Sequence, residues 1–418
     1  MLKKINRAYK YRFYPTEQQK QILQKEFGNA RFVWNNILFA SDTTYQSRKE
    51  FINMSKTLTE MKKLEEFSFL KESHASILDQ KRIDLETAYK NFFRKLKQGK
   101  MFKEAGFPKY KSKGNSDSIR MQLDQRRINN IYSAGHWIRP NKELGKVEFK
   151  WTKIPTGIPK MLTISRNPDG KYYLSFSCEE THEVSEPDLN KSIGIDFGMK
   201  VFATLSNGIQ IKSPLSFAKA KAKLKYEQRV LSRRTKGSNR KKKQKLKVAK
   251  LHSKIANQRS DFLHKFTNLV TNSFDVICVE TLDIKSMQQK FGKAFNSKLA
   301  DVSISETIRQ IEYKANWKGK RFVKIDKWFP SSKLCSKCGT VHNMPLSQRS
   351  MTCDCGNHMD RDLNASINIR GEGLRSVNVE VNIIDLVHPN QIMKTIETLD
   401  ILTKKFVLDS QTSEVVYQ

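Results

Sequence analysis

The stretch CDCGNHMDRDLNA, Cys353 to Ala365, constrains this chain more than any other. Its two cysteines close a set of four, spaced Cys335-x₂-Cys338-x₁₄-Cys353-x-Cys355. Thiols clustered this way in a basic chain expected to be cytosolic point to metal rather than disulfide. Four thiolates suit tetrahedral Zn²⁺, and the set leaves no coordination position open, so a structural zinc is expected. The second half is one residue short of the usual spacing, which keeps His342 and His358 as alternative ligands. The knuckle then runs directly into Asp360-Arg361-Asp362, where a helix begins. Two unrelated features would be separated by a linker, and none is present.

The charge names a class of partner. The chain has 418 residues, with 77 Lys+Arg against 42 Asp+Glu, for a formal charge of +35. An excess of that size implies a polyanion, nucleic acid first. No apolar run is long enough to span a bilayer, and the start, MLKKINRAYKYRFYP, has no apolar signal core. A cytoplasmic protein with no membrane partner is expected. The length predicts two or three domains. Cys178 and Cys278 stand alone in apparent strands and read as buried core thiols.

Along the chain, residues 7–14 alternate. Tyr9, Tyr11 and Phe13 face one side, with Lys10, Arg12 and Tyr14 on the other, which predicts a strand. Pro15 ends it and Thr16 opens a helix with Gln19 as its capping-box partner. Leu23, Phe27, Ala30, Trp34, Ile37 and Leu38 then recur at helical spacing. A second helix over 76–98 leads into the basic loop GFPKYKSKGNSD. Strands are expected at 146–151, 161–167 and 171–180, and 181–191 reads as a linker. The reading is α+β and multidomain. Residues 1–183 form a β-barrel with a helical insertion at about 16–115. Residues 192–212 then read as three strands, and 215–272 as a very basic helical hairpin broken at Gly237-Ser238-Asn239. A strand ending in Glu280, a helix at 303–318, a strand at 321–326 and a last helix near Asp362 complete the pattern. The tail beyond 376, with six acidic and three basic residues, departs from the basic trend. It shows helical apolar spacing in places and is expected to be flexible.

Three acids occupy comparable places in that order: Asp196 and Glu280 at strand ends, and Asp360 or Asp362 at the start of the last helix. Strand–strand–strand–helix–strand–helix–strand–helix is the order of an RNase H-like fold, in which the first and fourth strands are neighbours. Massed carboxylates select hard cations, Mg²⁺ or Mn²⁺. Two such ions can drive phosphodiester hydrolysis. Phosphate contacts are expected from Lys10, Arg12, Arg94, Lys109 and Lys111, and at the hairpin tip from Arg233, Arg234, Lys236 and Arg240. A merely solvated basic face is the plainer alternative for each.

The segments GIDFGMKVFATLSNG, VICVETL, WFPSSKLCSKCG and CDCGNHMDRDLNASINIR, with YKYRFYPTEQQKQIL near the start, resemble the TnpB proteins of bacterial insertion sequences. TnpB proteins are in turn similar to miniature type V CRISPR effectors. The resemblance runs from about residue 5 to 372. It implies an RNA-guided DNA endonuclease with a RuvC-type nuclease domain over 190–330 and 356–372. It also implies a zinc-binding target-nucleic-acid-binding insertion over 331–358, and the tail at 376–418 lies beyond the match. It assigns Asp196, Glu280 and Asp362 as catalytic ligands of two Mg²⁺ or Mn²⁺ ions, and Cys335, Cys338, Cys353 and Cys355 as zinc ligands. The implied partners are a guide RNA derived from the transposon end and double-stranded target DNA with a short adjacent motif. Base pairing would supply most of the specificity. A nuclease-silent RNA-guided repressor is the first rival, and the three intact acids argue against it. A transposition accessory or strand-transfer role is the second. No His-hydrophobe-His site with a catalytic tyrosine is apparent.

Overall fold

Strand β1 (Leu2–Phe13) buries Tyr9, Tyr11 and Phe13 and leaves Lys10 and Tyr14 exposed, as its alternation requires. Thr16 caps helix α1 (Glu17–Arg48) through the reciprocal box with Gln19. The α1 stripe Leu23, Phe27, Ala30, Trp34, Ile37 and Leu38 is buried throughout. Helices α2 (Met54–Met61), α3 (Ala75–Lys97) and α4 (Phe102–Ala105), with a 3-10 helix at Glu65–Glu72, complete a helical run that begins with α1. This run lies between β1 and β2 (Asp117–Gln122). A short ribbon, β3 (Trp137–Ile138) with β4 (Val147–Glu148), and the longer β5 (Ile158–Arg166) and β6 (Tyr172–Glu183) follow. The sheet order is β1-β6-β5-β2, and Phe13 bridges to Phe149 beyond the ribbon. Among the described residues this is a four-stranded sheet with β1 and β2 at its edges. Strand β6 runs to Glu183, so the expected linker loses its first residues to the sheet.

The computed structural model describes residues 1–114, 117–124, 128, 137–150, 152–212, 216–283, 292, 303–345, 347–377, 406–409 and 414–417. Most of the 376–418 tail therefore lies outside the described residues. The chain divides into one compact unit of Lys4–Thr181 and a second of His182–Gln418 with Met1–Lys3.

In the second unit, β7 (Ser192–Phe197), β8 (Ala203–Leu205) and β9 (Gln210–Ile211) form an antiparallel run. Helices α5 (Ser216–Ser232) and α6 (Asn239–Ser273) make the predicted hairpin. Gly237 takes the left-handed turn at φ 87° and Ser238 caps α6. Strand β10 (Val276–Glu280) lies parallel to β7 on one side and to β11 (Arg321–Ile325) on the other, after helix α7 (Ile304–Trp317). Parallel strands buried on both faces read as continuous apolar runs, and VICV does. Ile277 and Val279 join Ile193, Ile195, Phe262, Phe266 and Ile311 on one side. Val276 and Cys278 join Ile325, Ile369 and Leu374 on the other, against the last helix, α8 (Arg361–Arg375). Burial pushes the thiols of Cys178 and Cys278 up to about 12, as expected of inert core cysteines.

Between β11 and α8 lies the cysteine region, with β12 (Ser350–Thr352) paired to β13 (His358–Asp360). Of the tail beyond 377, the structure describes two short segments. Phe406–Asp409 (β14) and Glu414–Tyr417 (β15) form an antiparallel pair, and β15 runs parallel to β9 at the sheet edge. The β-branched and aromatic residues of FVLD and EVVY favour the strand.

Candidate metal centres

Two periodicities bring the acids together. Along β7, Ser192, Gly194 and Asp196 point to one face, opposite the core residues Ile193, Ile195 and Phe197. Along α8, Asp362, Ser366 and Arg370 recur at four-residue spacing and share a face. The two rows meet in register. Arg370 Nε donates to Ser192 Oγ at 2.9 Å. A Cβ on Gly194 would lie 2.0 Å from the Ser366 carbonyl oxygen. The next step along both rows carries Asp196 to Asp362. Across the sheet, Val279 pairs with Ile195, so Glu280 and Asp196 stand abreast, with Cα atoms about 5 Å apart.

The electrostatics record that convergence. Burial, then Asp362, then Glu280 push the Asp196 carboxyl up to about 7. Burial also raises Glu280. Burial and the neighbouring Asp360 raise Asp362, with Arg349 and Arg361 opposing. Arg361 also opposes the shift at Asp196, although its guanidinium is committed to the carbonyls of Pro345 at 3.1 Å and Gln348 at 3.4 Å. Asp362 and Glu280 thus both raise the proton affinity of Asp196, and three oxygen-donor carboxylates so placed could hold a hard divalent cation. Asp360 is exposed and caps α8, its Oδ1 accepting from the backbone N–H groups of Asp362 at 2.9 Å and Leu363 at 3.1 Å.

The second centre is the cysteine cluster. The four Sγ atoms of Cys335, Cys338, Cys353 and Cys355 lie within 4.8 Å of one another. Cys335 and Cys355 are 3.7 Å apart, and Cys338 and Cys353 are 3.5 Å apart. A tetrahedron with 2.3 Å zinc–sulfur bonds has edges of about 3.8 Å, so the thiols fit zinc. Hydrogen bonding with the Thr340 hydroxyl and backbone N–H, then with Cys353, pulls the Cys338 thiol down to about 6, favouring the thiolate. The short Cys353-x-Cys355 half places both its thiols in the cluster, and neither His342 nor His358 belongs to it. His358 Nδ1 instead meets Thr352 Oγ1 at 3.0 Å.

Sequence reasoning missed the asparagines that join the centres. Asn357 Nδ2 donates to Cys335 Sγ at 3.3 Å. From α8, Asn364 and Asn368 both donate to the Leu334 carbonyl, at 2.7 and 2.6 Å, and Asn364 Oδ1 accepts from the Ser336 N–H at 2.9 Å. The i, i+4 asparagine pair in LNASIN was the available signal. The helix that carries Asp362 therefore also grips the loop that carries Cys335 and Cys338.

The nine candidate phosphate contacts occupy several surfaces. Lys10 Nζ lies 4.3 Å from the Tyr173 ring centroid, and the Arg12 guanidinium 4.8 Å from that of Tyr14. The Lys109–Lys111 loop is pinned to α1, with the Lys109 carbonyl accepting from Trp34 Nε1 and the Lys111 backbone bonded both ways to the Asn35 side chain. Lys111 Nζ sits 3.6 Å from the Trp34 ring centroid. Arg94 is exposed near the end of α3, and Arg233, Arg234, Lys236 and Arg240 are all exposed at the hairpin tip.

Comparison with known proteins bears on this geometry. The family described as "Probable transposase" matches residues 175–290, "Cas12f1-like, TNB domain" matches 305–369, and "Helix-turn-helix domain" matches 1–50. Within that last range the fold is one strand and one continuous helix. A Streptomyces pristinaespiralis protein named "Putative RNA-guided DNA endonuclease" is 37% identical over 384 residues, covering 90% of this chain and 91% of that protein. InsQ of Escherichia coli K12, of the same description, is 32% identical over 390 residues, covering 88% and 92%. The Cas12f1 chain in a complex with sgRNA and target DNA shares the fold, with a TM-score of 0.51 and 16% identity over 88% of this chain and 99% of its own. The chain belongs to the TnpB family. Among the described residues no helix is long and apolar enough to cross a membrane.

Proposed function

We propose that this chain is an RNA-guided DNA endonuclease whose reaction is Mg²⁺- or Mn²⁺-dependent phosphodiester hydrolysis. The observation that carries this reading is the meeting of Asp196, Glu280 and Asp362 on one face, where burial and the other two carboxylates push Asp196 up to about 7. These three would hold two divalent cations, which when bound activate water and stabilise the leaving oxygen. The chain's own residues do the rest. Arg370 and Gly194 fix α8 against β7, Asp360 caps α8 so that Asp362 enters in its first turn, and Arg361 ties that turn to the cysteine loop. In the finer reading, β7–β11 with their helices are a RuvC-type, RNase H-like domain. The N-terminal unit closes as a β-barrel around its helical insertion, and residues 331–358 are a zinc-bearing module that presents target DNA.

The partners follow the family. The close relatives are named as RNA-guided DNA endonucleases, and the surface is strongly cationic. The guide would derive from the transposon end, and a short motif beside the target would be read by the protein. The test is to express the gene with its native flanking DNA, sequence the RNA that co-purifies, and challenge the complex with matched DNA and Mg²⁺. Guide-dependent cutting that is lost in Asp196→Ala supports the reading. A complex that binds matched DNA and never cuts it would leave a repressor instead.

A further inference from the structure

We propose that Trp328 is a stacking platform for an unpaired base of the DNA strand being cut, an inference that rests on the nuclease reading above. Trp328 is 80% exposed, an expensive way to display an indole that the fold does not use. Its position is set by the sheet. Strands β7, β10 and β11 are parallel, so the loops leaving them emerge at one edge, the edge that carries Asp196 and Glu280. Ile325 ends β11 directly abreast of Glu280, and the Thr281 hydroxyl donates to the Ile325 carbonyl at 2.7 Å. Trp328 follows three residues later. Three residues reach about 10 Å and one strand spacing adds about 5 Å, so its backbone lies within about 15 Å of that of Glu280. That is the span of a few nucleotides.

The loop fixes the backbone that carries the ring. Asp326 Oδ1 accepts from the Trp328 N–H at 2.7 Å, and the Phe329 N–H donates to the Asp326 carbonyl at 3.2 Å. The Phe329 side chain packs into the cluster of Val276, Cys278, Ile325, Ile369 and Leu374. Asn368 Nδ2 from α8 donates to the Ser331 carbonyl at 2.8 Å. The turn is thus pinned on both sides of Trp328, and the indole is the part left out. Lys327 Nζ lies 4.7 Å from its centroid, placing a cation for a phosphate beside a flat face for a base. Stacking tolerates any base, which suits a centre whose sequence choice is made elsewhere by pairing. It needs an open base face, so the occupant is a single strand rather than a duplex.

The experiment uses the full chain with its co-purified guide RNA and matched DNA carrying 5-iodo-deoxyuridine at successive positions around the cut. Irradiation is done in Ca²⁺ and single-turnover cutting in Mg²⁺. The expected result is a photocrosslink at Trp328 from a position within a few nucleotides of the scissile bond. Trp328→Ala should cut about 5- to 150-fold more slowly, the range that stacking losses give. Trp328→Phe should stay within several-fold of wild type and keep the crosslink, with zinc content and guide binding unchanged in both. Wild-type cutting by Trp328→Ala, or no crosslink at Trp328 from any position, would overturn the proposal. So would equal losses in both variants accompanied by loss of zinc, since the turn would then be merely structural. A wild-type complex that crosslinks at Trp328 yet never cuts would support stacking while refuting the nuclease reading.

Discussion

Asp360 and Asp362 are two residues apart and do different work. Position in the sequence alone leaves both open as the third acid, because either could begin the helix. The structure separates them: Asp360 is the exposed cap, and Asp362 lies in the first helical turn on the face toward Asp196. Asp362→Ala is expected to abolish Mg²⁺-dependent cutting while guide RNA and target binding persist. Asp360→Ala should cost about 1 kcal/mol of stability and keep most of the activity. The reverse pattern in paired cutting and binding assays would reassign the ligand. Lys111 was legible as a cation but not as an unusual one. Its chain is exposed, yet its ammonium group is tucked over Trp34, and desolvation followed by Lys81 lowers it to about 8, with Asp84 opposing. Its folded value lies below the usual lysine value. Holding it charged therefore opposes folding below about pH 8, and the cost is relieved as pH rises from there toward the unfolded value. Amine labelling read by mass spectrometry should find a midpoint near 8 at Lys111. The guide-affinity deficit of Lys111→Gln should be present at pH 7 and fade by pH 9. A midpoint at the ordinary lysine value would mean that the ammonium group is hydrated rather than tucked in.

At the scale of elements, the fit of α8 against the sheet decides whether the acids meet. A Cβ at Gly373 would lie 2.3 Å from Cys278 Sγ, whereas one at Gly371 would meet only the Arg375 guanidinium, at 4.0 Å. Gly371→Ala should therefore stabilise the chain by about 0.5–1 kcal/mol through helix propensity. Gly373→Ala and Gly194→Ala should each destabilise it by about 3 kcal/mol or more through overpacking. Thermal unfolding of the three variants tests the ranking, and equal shifts for Gly371→Ala and Gly373→Ala would refute the packing argument. Most elements were legible because each follows a local rule: alternation for β1, a capping box for α1, a Gly-Ser-Asn break for the hairpin. The fit between elements was not, because Gly194 and Gly373 carry no periodic signal and acquire meaning only when two segments far apart in sequence touch. The cysteines were legible as a set, whereas their short second half left His342 and His358 open, and in the fold the four Sγ atoms cluster without either. Cys335→Ser or Cys353→Ser should release zinc, with a loss of local folding free energy on the order of 10 kcal/mol. Metal analysis of the purified wild type that finds no zinc would defeat this.

For the whole molecule, a charge of +35 makes nucleic-acid affinity a function of salt, and guide binding should weaken steeply as ionic strength rises. The tail does not share that charge, so its contribution must be sought elsewhere. Its described strands meet the sheet only at β9, through Glu414 with Gln210 and Val415 with Ile211. That edge is on the far side of β7 and β8 from Glu280, in the order β11-β10-β7-β8-β9-β15-β14. The helix bearing Asp362 is closed before the tail begins, with the Ser376 N–H bonded to the Glu372 carbonyl and Val377 to that of Leu374. Truncation after Val377 thus preserves Asp196, Glu280 and Asp362, the four clustered thiols and the cap of α8. The truncated complex should cut within a few-fold of the full chain under single-turnover conditions. It should also uncover the β9 edge, and an unpaired strand edge is a template for association. Light scattering is therefore expected to show more self-association in the truncated protein than in the full chain at equal concentration. A truncated protein that holds zinc and guide RNA but no longer cuts would show that the tail acts on the nuclease centre itself, against the sheet order that separates them.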